Sequence, residues 1–171
     1  MPLPIGGTIS KAGVPTSGVA QQITATVVGT ITQSGNATFT LTAAGMAGSP
    51  LAISVAVLNL DTAAIVATKA RTTLAANAVI AAFFTVGGTG DDVLLTRKRS
   101  AANDATMNLA YTNDTCTGLT PDATSTATTA GTKGDFVGLE SGQFVLDSTN
   151  ANFYQNTGTA LVPTWTIYPN V

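Results

Sequence analysis

Apolar and small polar side chains take turns along three stretches near the start of this chain. That period of two limits what it can fold into. From Gln22 to Ile31, Ile23, Ala25, Val27 and Ile31 point one way and Thr24, Thr26 and Thr30 the other, with Val28 out of step. Ala37 to Thr42 repeats the pattern with Phe39 and Leu41 on the apolar side, and Leu51 to Leu58 groups Leu51, Ile53, Val55 and Val57. Such alternation belongs to strands that bury one face. The turn residues Gln33-Ser34-Gly35-Asn36 separate the first two stretches, so these are expected as an antiparallel hairpin. Gly45 to Pro50 is expected as the loop before the third strand.

The period then changes. Ile65, Val66, Ala70 and Leu74 recur at helical spacing after the N-capping residues Asp61 and Thr62, which predicts one main helix at about 62–76. Asn77 is placed to cap a short continuation to Ala82, and Lys69 and Arg71 lie toward the C-terminal half, where the helix dipole favours cations. Phe83-Phe84-Thr85-Val86 and Val93-Leu94-Leu95-Thr96 flank a glycine turn and read as a second hairpin. Met107 to Tyr111 adds another strand, followed by a turn at Asn113-Asp114-Thr115. The stretch from Leu51 to Thr117 is thus expected to form the organising scaffold.

The fold class expected is α+β, mainly β: an antiparallel β-rich body with one main helix and a small C-terminal β unit. Residues 1–20, rich in Pro and Gly, read as an extended N-terminal arm or a frayed terminus. Residues 21–119 form the body. Residues 120–134, reduced to Thr, Ala, Ser, Asp and Gly, read as a linker or long loop. Residues 135–171 form the C-terminal unit, with strands at Gly142–Asp147, Asn152–Asn156 and Thr164–Tyr168. Phe144, Phe153, Tyr154, Trp165 and Tyr168 concentrate there. They are expected to pack against the body, to pack between copies of the chain, or to form an exposed tip.

Composition narrows the function. Only 9% of the 171 residues are charged while 44% are apolar, so the chain is expected to fold, unlike a disordered segment of low hydrophobicity and high charge. A surface so poor in charge is weakly defended against association, which points to partner subunits. The net charge of −2 gives no field to attract nucleic acid. There is no histidine, so the commonest general base and zinc ligand are missing. The single cysteine, Cys116, excludes an intrachain disulfide and reads as a small buried apolar residue. The opening residues lack the charge and apolar run of a secretory signal, and no run reaches the ~20 apolar residues of a membrane span. No membrane partner is expected.

The chemistry-like motifs have structural explanations. Gly87-Gly88-Thr89-Gly90-Asp91-Asp92 has no GK[ST] ending and is followed by a strand, so it reads as a hairpin turn rather than a phosphate loop. Asp91 and Asp92 lack the spacing of a calcium loop. Asp104, Asp114, Asp122, Asp135, Glu140 and Asp147 lie in or beside expected loops with no spacing that pairs two carboxylates for glycoside hydrolysis. No Ser–Lys dyad is marked. Asn36-Ala37-Thr38 and Asn113-Asp114-Thr115 match the glycosylation pattern without a secretory context. Arg97-Lys98-Arg99, the densest charge in the chain, suits either an acidic partner or a solvated strand edge.

Two signatures carry a resemblance to virion proteins of tailed bacteriophages. The first runs through Leu74-Ala75-Ala76-Asn77, Ala82 to Val86, Asp92 to Thr96, Ala101 to Ala110 and Thr115 to Leu119. It looks like an α+β module of phage head and tail proteins. The second, Gly142 to Asn150 with Asn152-Phe153-Tyr154, Thr157-Gly158-Thr159 and Pro163 to Thr166, is similar to a short β module at the ends of head-fibre and tail-fibre proteins. Gly13-Val14-Pro15-Thr16-Ser17-Gly18 before a Thr-rich strand is similar to small capsid-decorating proteins. The resemblance implies a non-enzymatic decoration or cement protein, trimeric on the phage head surface and assembled in the host cytoplasm. It implies the major capsid protein and further copies of the chain as partners, and no cofactor or metal. Capsid contact is then expected from Pro2, Pro4, Ile5, Lys11, Arg97, Lys98 and Arg99. Contact between copies, or an exposed tip, is expected from Phe144, Phe153, Tyr154, Trp165 and Tyr168. A tail-fibre or baseplate component with a glycan-binding tip is the alternative.

Overall fold

The computed structural model describes residues 9–168, so the expectations for Pro2, Pro4 and Ile5 lie outside the described residues. In chain order the elements are β1 (Ser10–Lys11), β2 (Gln22–Thr26), β3 (Gly29–Gln33), β4 (Gly35–Thr42) and β5 (Leu51–Val57), then helices α1 (Ala63–Ala76) and α2 (Ala78–Phe83). Strands follow at β6 (Phe84–Gly87), β7 (Asp92–Arg97), β8 (Asn108–Asn113), β9 (Thr117–Leu119) and β10 (Thr126–Thr129). The last three are β11 (Phe144–Asp147), β12 (Asn152–Asn156) and β13 (Trp165–Tyr168). The fold is α+β and mainly β. It divides into two compact units, each assembled from separate segments: Ala20–Lys98 with Asn103–Gly131, and residues 9–19 with Arg99–Ala102 and residues 132–168.

The larger unit holds three sheets, ordered β10-β2-β7-β6, β5-β4-β8 and β3-β9. Their apolar faces share one core with α1. Ile23, Val93 and Leu95 enter it from the first sheet, Phe39, Leu41, Val55, Leu109 and Tyr111 from the second, and Val66, Ala67, Ala70 and Leu74 from the helix. Each fully buried Leu, Val or Phe contributes roughly 1.5–3 kcal/mol relative to exposure. The α1 stripe differs from expectation by one residue: Ile65 is exposed and Ala67 is buried in its place. The helix therefore meets the core through Val66, Ala67, Ala70 and Leu74.

Helix capping also differs from expectation at α1. Thr62 occupies the N-cap but makes no side-chain cap bond, and Asp61 turns instead to the Leu58 amide at 2.7 Å and to the Lys69 ammonium. Lys69 thus serves an ion pair rather than the helix dipole. At the other end Asn77 closes α1 and starts α2, its side-chain oxygen accepting from the amides of Val79 and Ile80 at 3.1 and 3.2 Å. That satisfies two of the amides a helix start leaves without partners.

The expected first hairpin does not form. The chain breaks at Val27-Val28, and β2 pairs with β7, Ile23 facing Leu95, while β4 pairs with β5 and β8. β3 leaves for β9, where Gly29 and Gly118 both take positive φ, 112° and 114°. Their backbones approach so closely that a Cβ on Gly118 would stand 2.1 Å from the Thr30 carbonyl oxygen. Residues 120–134, expected as a linker or long loop, contain β10, which pairs antiparallel with β2.

The smaller unit is a four-stranded sheet ordered β1-β11-β12-β13. Residues 9–19 are part of it rather than a separate arm. Ser10 and Lys11 add a parallel edge to β11, facing Leu146 and Asp147, and the Gly18 amide donates to the Pro163 carbonyl at 2.8 Å. Val145, Tyr154 and Trp165 form the unit's core with Phe136 and Leu139.

Candidate functional site

The five C-terminal aromatics are sorted by the strand pleat. In the smaller unit's sheet, Val145 faces Tyr154, and Asn156 faces Trp165, on the inner side. The Trp165 ring meets Phe136 edge-on at 6.1 Å, and its indole Nε1 is buried without a hydrogen-bond partner among the described residues. The other side carries Phe144, Leu146, Phe153 and Tyr168. Phe144 and Tyr168 are 42% and 49% exposed and stand perpendicular to each other with centroids 5.1 Å apart. The structure therefore places three of the five on an open aromatic face, while Tyr154 and Trp165 are core.

Two buried polar residues fix that sheet, and sequence reasoning attached no role to them. Asp147 Oδ1 accepts the amides of Gly13, Thr149 and Asn150, and Oδ2 accepts the Asn150 side-chain amide at 2.8 Å. The Asn150 side chain and these backbone amides outweigh burial and hold the carboxyl below its usual pKa. Asn156 Oδ1 accepts from Gly158 and Thr164, and its Nδ2 donates to the Leu139 carbonyl at 2.7 Å. The Asn150 and Gly158 spacings, close to an Asx partner in sequence, were the available signal.

The members of the basic run have different surroundings. Arg97 lies over the Phe83 ring, 4.8 Å from its centroid, and donates to the Ala44 carbonyl. Lys98 Nζ donates to the Ala81 carbonyl. Both belong to the larger unit, whereas Arg99 belongs to the smaller one. Lys11 pairs with Asp135, so it serves the smaller unit's own structure.

The loop carboxylates are likewise engaged. Asp104 accepts the amides of Ala44 and Thr106 and the Thr106 hydroxyl. Burial raises its pKa, but these donors and the Arg97 charge lower it further, so the net shift is downward. Asp61 and Asp135 follow the same balance, burial opposed by backbone amides and by Lys69 and Lys11 respectively. In the Gly87–Asp92 turn, Asp92 Oδ1 accepts the Thr26 hydroxyl at 2.6 Å, and Arg71 donates to the carbonyls of Gly90 and Asp92. Cys116 is buried. Among the described residues no group of three or more Asp, Glu, His or Cys side chains is arranged to hold a metal.

The outer face of β5-β4-β8 is the remaining broad surface. Asn36, Thr38, Thr40 and Thr42 run down its centre. Ala52, Ser54 and Ala56 flank them on one side and Asn108, Ala110 and Thr112 on the other, in direct register. No charged side chain belongs to this array. Comparison with known proteins found no matching family, no similar curated protein and no similar solved structure.

Proposed function

We propose that this chain is a non-enzymatic structural protein of a tailed-phage particle, a decoration or cement protein that sits on the head as a homotrimer and ties copies of the major capsid protein together. The observation that carries this reading is the uncharged Thr, Ser, Asn and Ala face of the β5-β4-β8 sheet. Hydroxyls and amides pair across an interface without the cost of desolvating ions, and a trimer touching a lattice at several points gains avidity from modest contacts. The engagement of Asp61, Asp104, Asp135 and Asp147 in holding loops and strands supports a binding role over acid–base chemistry. In this reading the protein is assembled in the host cytoplasm and has no nucleic acid, membrane or cofactor partner.

The exposed Phe144 and Tyr168 favour a second reading, a tail-fibre or baseplate component whose aromatic tip binds glycans. Trp165, expected among the tip aromatics, is buried and does not contribute to that face. Quantitative mass measurement of purified particles separates the two. A capsid lattice component is present in hundreds of copies, and a tail component in about a dozen, because each follows the symmetry of its site. The lower number overturns the capsid assignment.

A further inference from the structure

The chain has seven basic residues, and five are tied to a partner. Lys11 and Lys69 pair with Asp135 and Asp61. Arg71, Arg97 and Lys98 donate to backbone carbonyls. The side chains of Arg99 and Lys133 are exposed and enter neither ion pair found among the described residues. These two line the same cleft. It has a volume of about 450 Å³ within the smaller unit, bounded by Arg99 to Ala102 and by Lys133 to Val137.

The cleft's charge is unbalanced. Its one acidic lining residue, Asp135, is already neutralised by Lys11 and accepts the Thr16 amide at 2.7 Å. Arg99 and Lys133 therefore leave a surplus of two positive charges. The other lining side chains are that of Ser100, whose hydroxyl is engaged by the Leu161 carbonyl, and the apolar ones of Ala101, Ala102, Phe136 and Val137. The backbone on both sides is held in place. The Ser100 amide and hydroxyl both donate to the Leu161 carbonyl, at 2.9 and 3.1 Å, and the Asp135 amide donates to the Thr16 carbonyl at 2.9 Å. Two unpaired cations beside apolar walls fit a ligand with an anionic head on an apolar body.

We propose that this cleft binds an organic carboxylate, the head meeting Arg99 and Lys133 and the body lying against Phe136, Val137 and the two alanines. The guanidinium offers a planar fork of N–H donors matched to a carboxylate, and the ammonium adds a compact charge. The carboxylate is either that of a small molecule or that of an Asp or Glu beside an apolar residue on a partner chain. The site does not depend on the position of the chain in a particle.

The test is a titration of the full chain, followed by backbone and Arg Nε–H resonances, with benzoate, with benzyl alcohol as the neutral counterpart, and with sodium chloride at equal ionic strength. Saturable benzoate shifts at Ala101, Gly134 and Arg99 are expected, without matching shifts from the other two. R99Q/K133Q is expected to weaken benzoate about tenfold or more and R99K/K133R to retain most of it, since both positions are exposed and the fold does not rest on them. Equal binding of benzyl alcohol, non-saturable shifts, or an unaffected double Gln variant overturns the proposal. A blocked Asp-Phe dipeptide identifies the source. Saturation by the dipeptide supports a partner's carboxylate, and saturation by benzoate alone supports a free ligand.

Discussion

The Asp147 carboxylate accepts the Gly13 amide at 2.9 Å, joining residues 134 positions apart in the chain. This bond, with the β1 pairing and the Lys11–Asp135 ion pair, anchors the N-terminal segment in the smaller unit. Its acid response has a definite sign. The folded pKa of Asp147 is depressed, by the Asn150 side chain first and the backbone amides after it. The stabilisation is therefore fully present above the unfolded value of ~3.9 and is lost as pH falls through the lower folded value. Urea midpoints measured between neutral and strongly acidic pH are expected to fall for the parent chain. For Asp147→Asn they are expected to start lower and fall less. Deleting residues 2–15 removes β1, Lys11 and Gly13, so the truncated chain is expected to melt earlier rather than keep the fold intact, as calorimetry will read.

Gly118 and Gly29 let β3 and β9 approach where no side chain fits. Gly118→Ala forces a Cβ to within 2.1 Å of the Thr30 carbonyl oxygen at a φ of 114°. A loss of about 1–3 kcal/mol or more is expected in chemical denaturation. Gly87→Ala is the control: nothing lies within 4 Å of its would-be Cβ, and a change within about 0.5 kcal/mol is expected.

Tyr111 hydrogen-bonds by its hydroxyl to both ends of the break after β2, accepting from the Val28 amide and donating to the Thr26 carbonyl, each at 3.0 Å. The ring stacks on Phe39 at 5.6 Å. Tyr111→Phe keeps the stacking and leaves the Val28 amide unpaired, at an expected cost of about 1–3 kcal/mol. Burial, with the Asp122 charge adding to it, raises the phenol's pKa despite the Val28 bond. An alkaline absorbance titration is expected to show one tyrosine ionising later in the parent chain and not in the variant.

These bonds also mark how far the sequence was legible. Local signals read correctly: the helix expected at about 62–76 spans Ala63–Ala76, Asn77 caps its continuation, and the Phe84–Gly87 and Asp92–Arg97 strands form their hairpin. Each is decided by residues a few positions apart. Alternation reports which face of a strand is buried and not which strand it joins, so the pairing of Ile23 with Leu95 was invisible and a nearer partner was expected instead. β10 was missed because all four of its residues remain at least partly exposed, leaving no apolar period to detect. The aromatic cluster was legible as a group, but its division depended on register: Asn156 opposite Trp165 sends that ring inward, and Phe153 opposite Tyr168 sends those two outward. The Arg97–Arg99 run was legible as charge, yet its members have different surroundings.

That division gives the last prediction. Phe144 and Tyr168 lie on the open side of the smaller unit's sheet, and Trp165 is 8% exposed on the other. Phe144→Ser/Tyr168→Ser removes side chains that are 42% and 49% exposed, so the melting midpoint is expected to fall far less than for a core truncation. Trp165→Ala opens a cavity beside Phe136 and is expected to cost about 3–5 kcal/mol. If the open aromatic face joins copies of the chain, the parent associates on sedimentation and the double Ser variant stays a monomer at the same concentration, with unchanged far-ultraviolet circular dichroism. A parent and variant that associate equally would place the contact between copies elsewhere, with the uncharged face of β5-β4-β8 the next surface to alter.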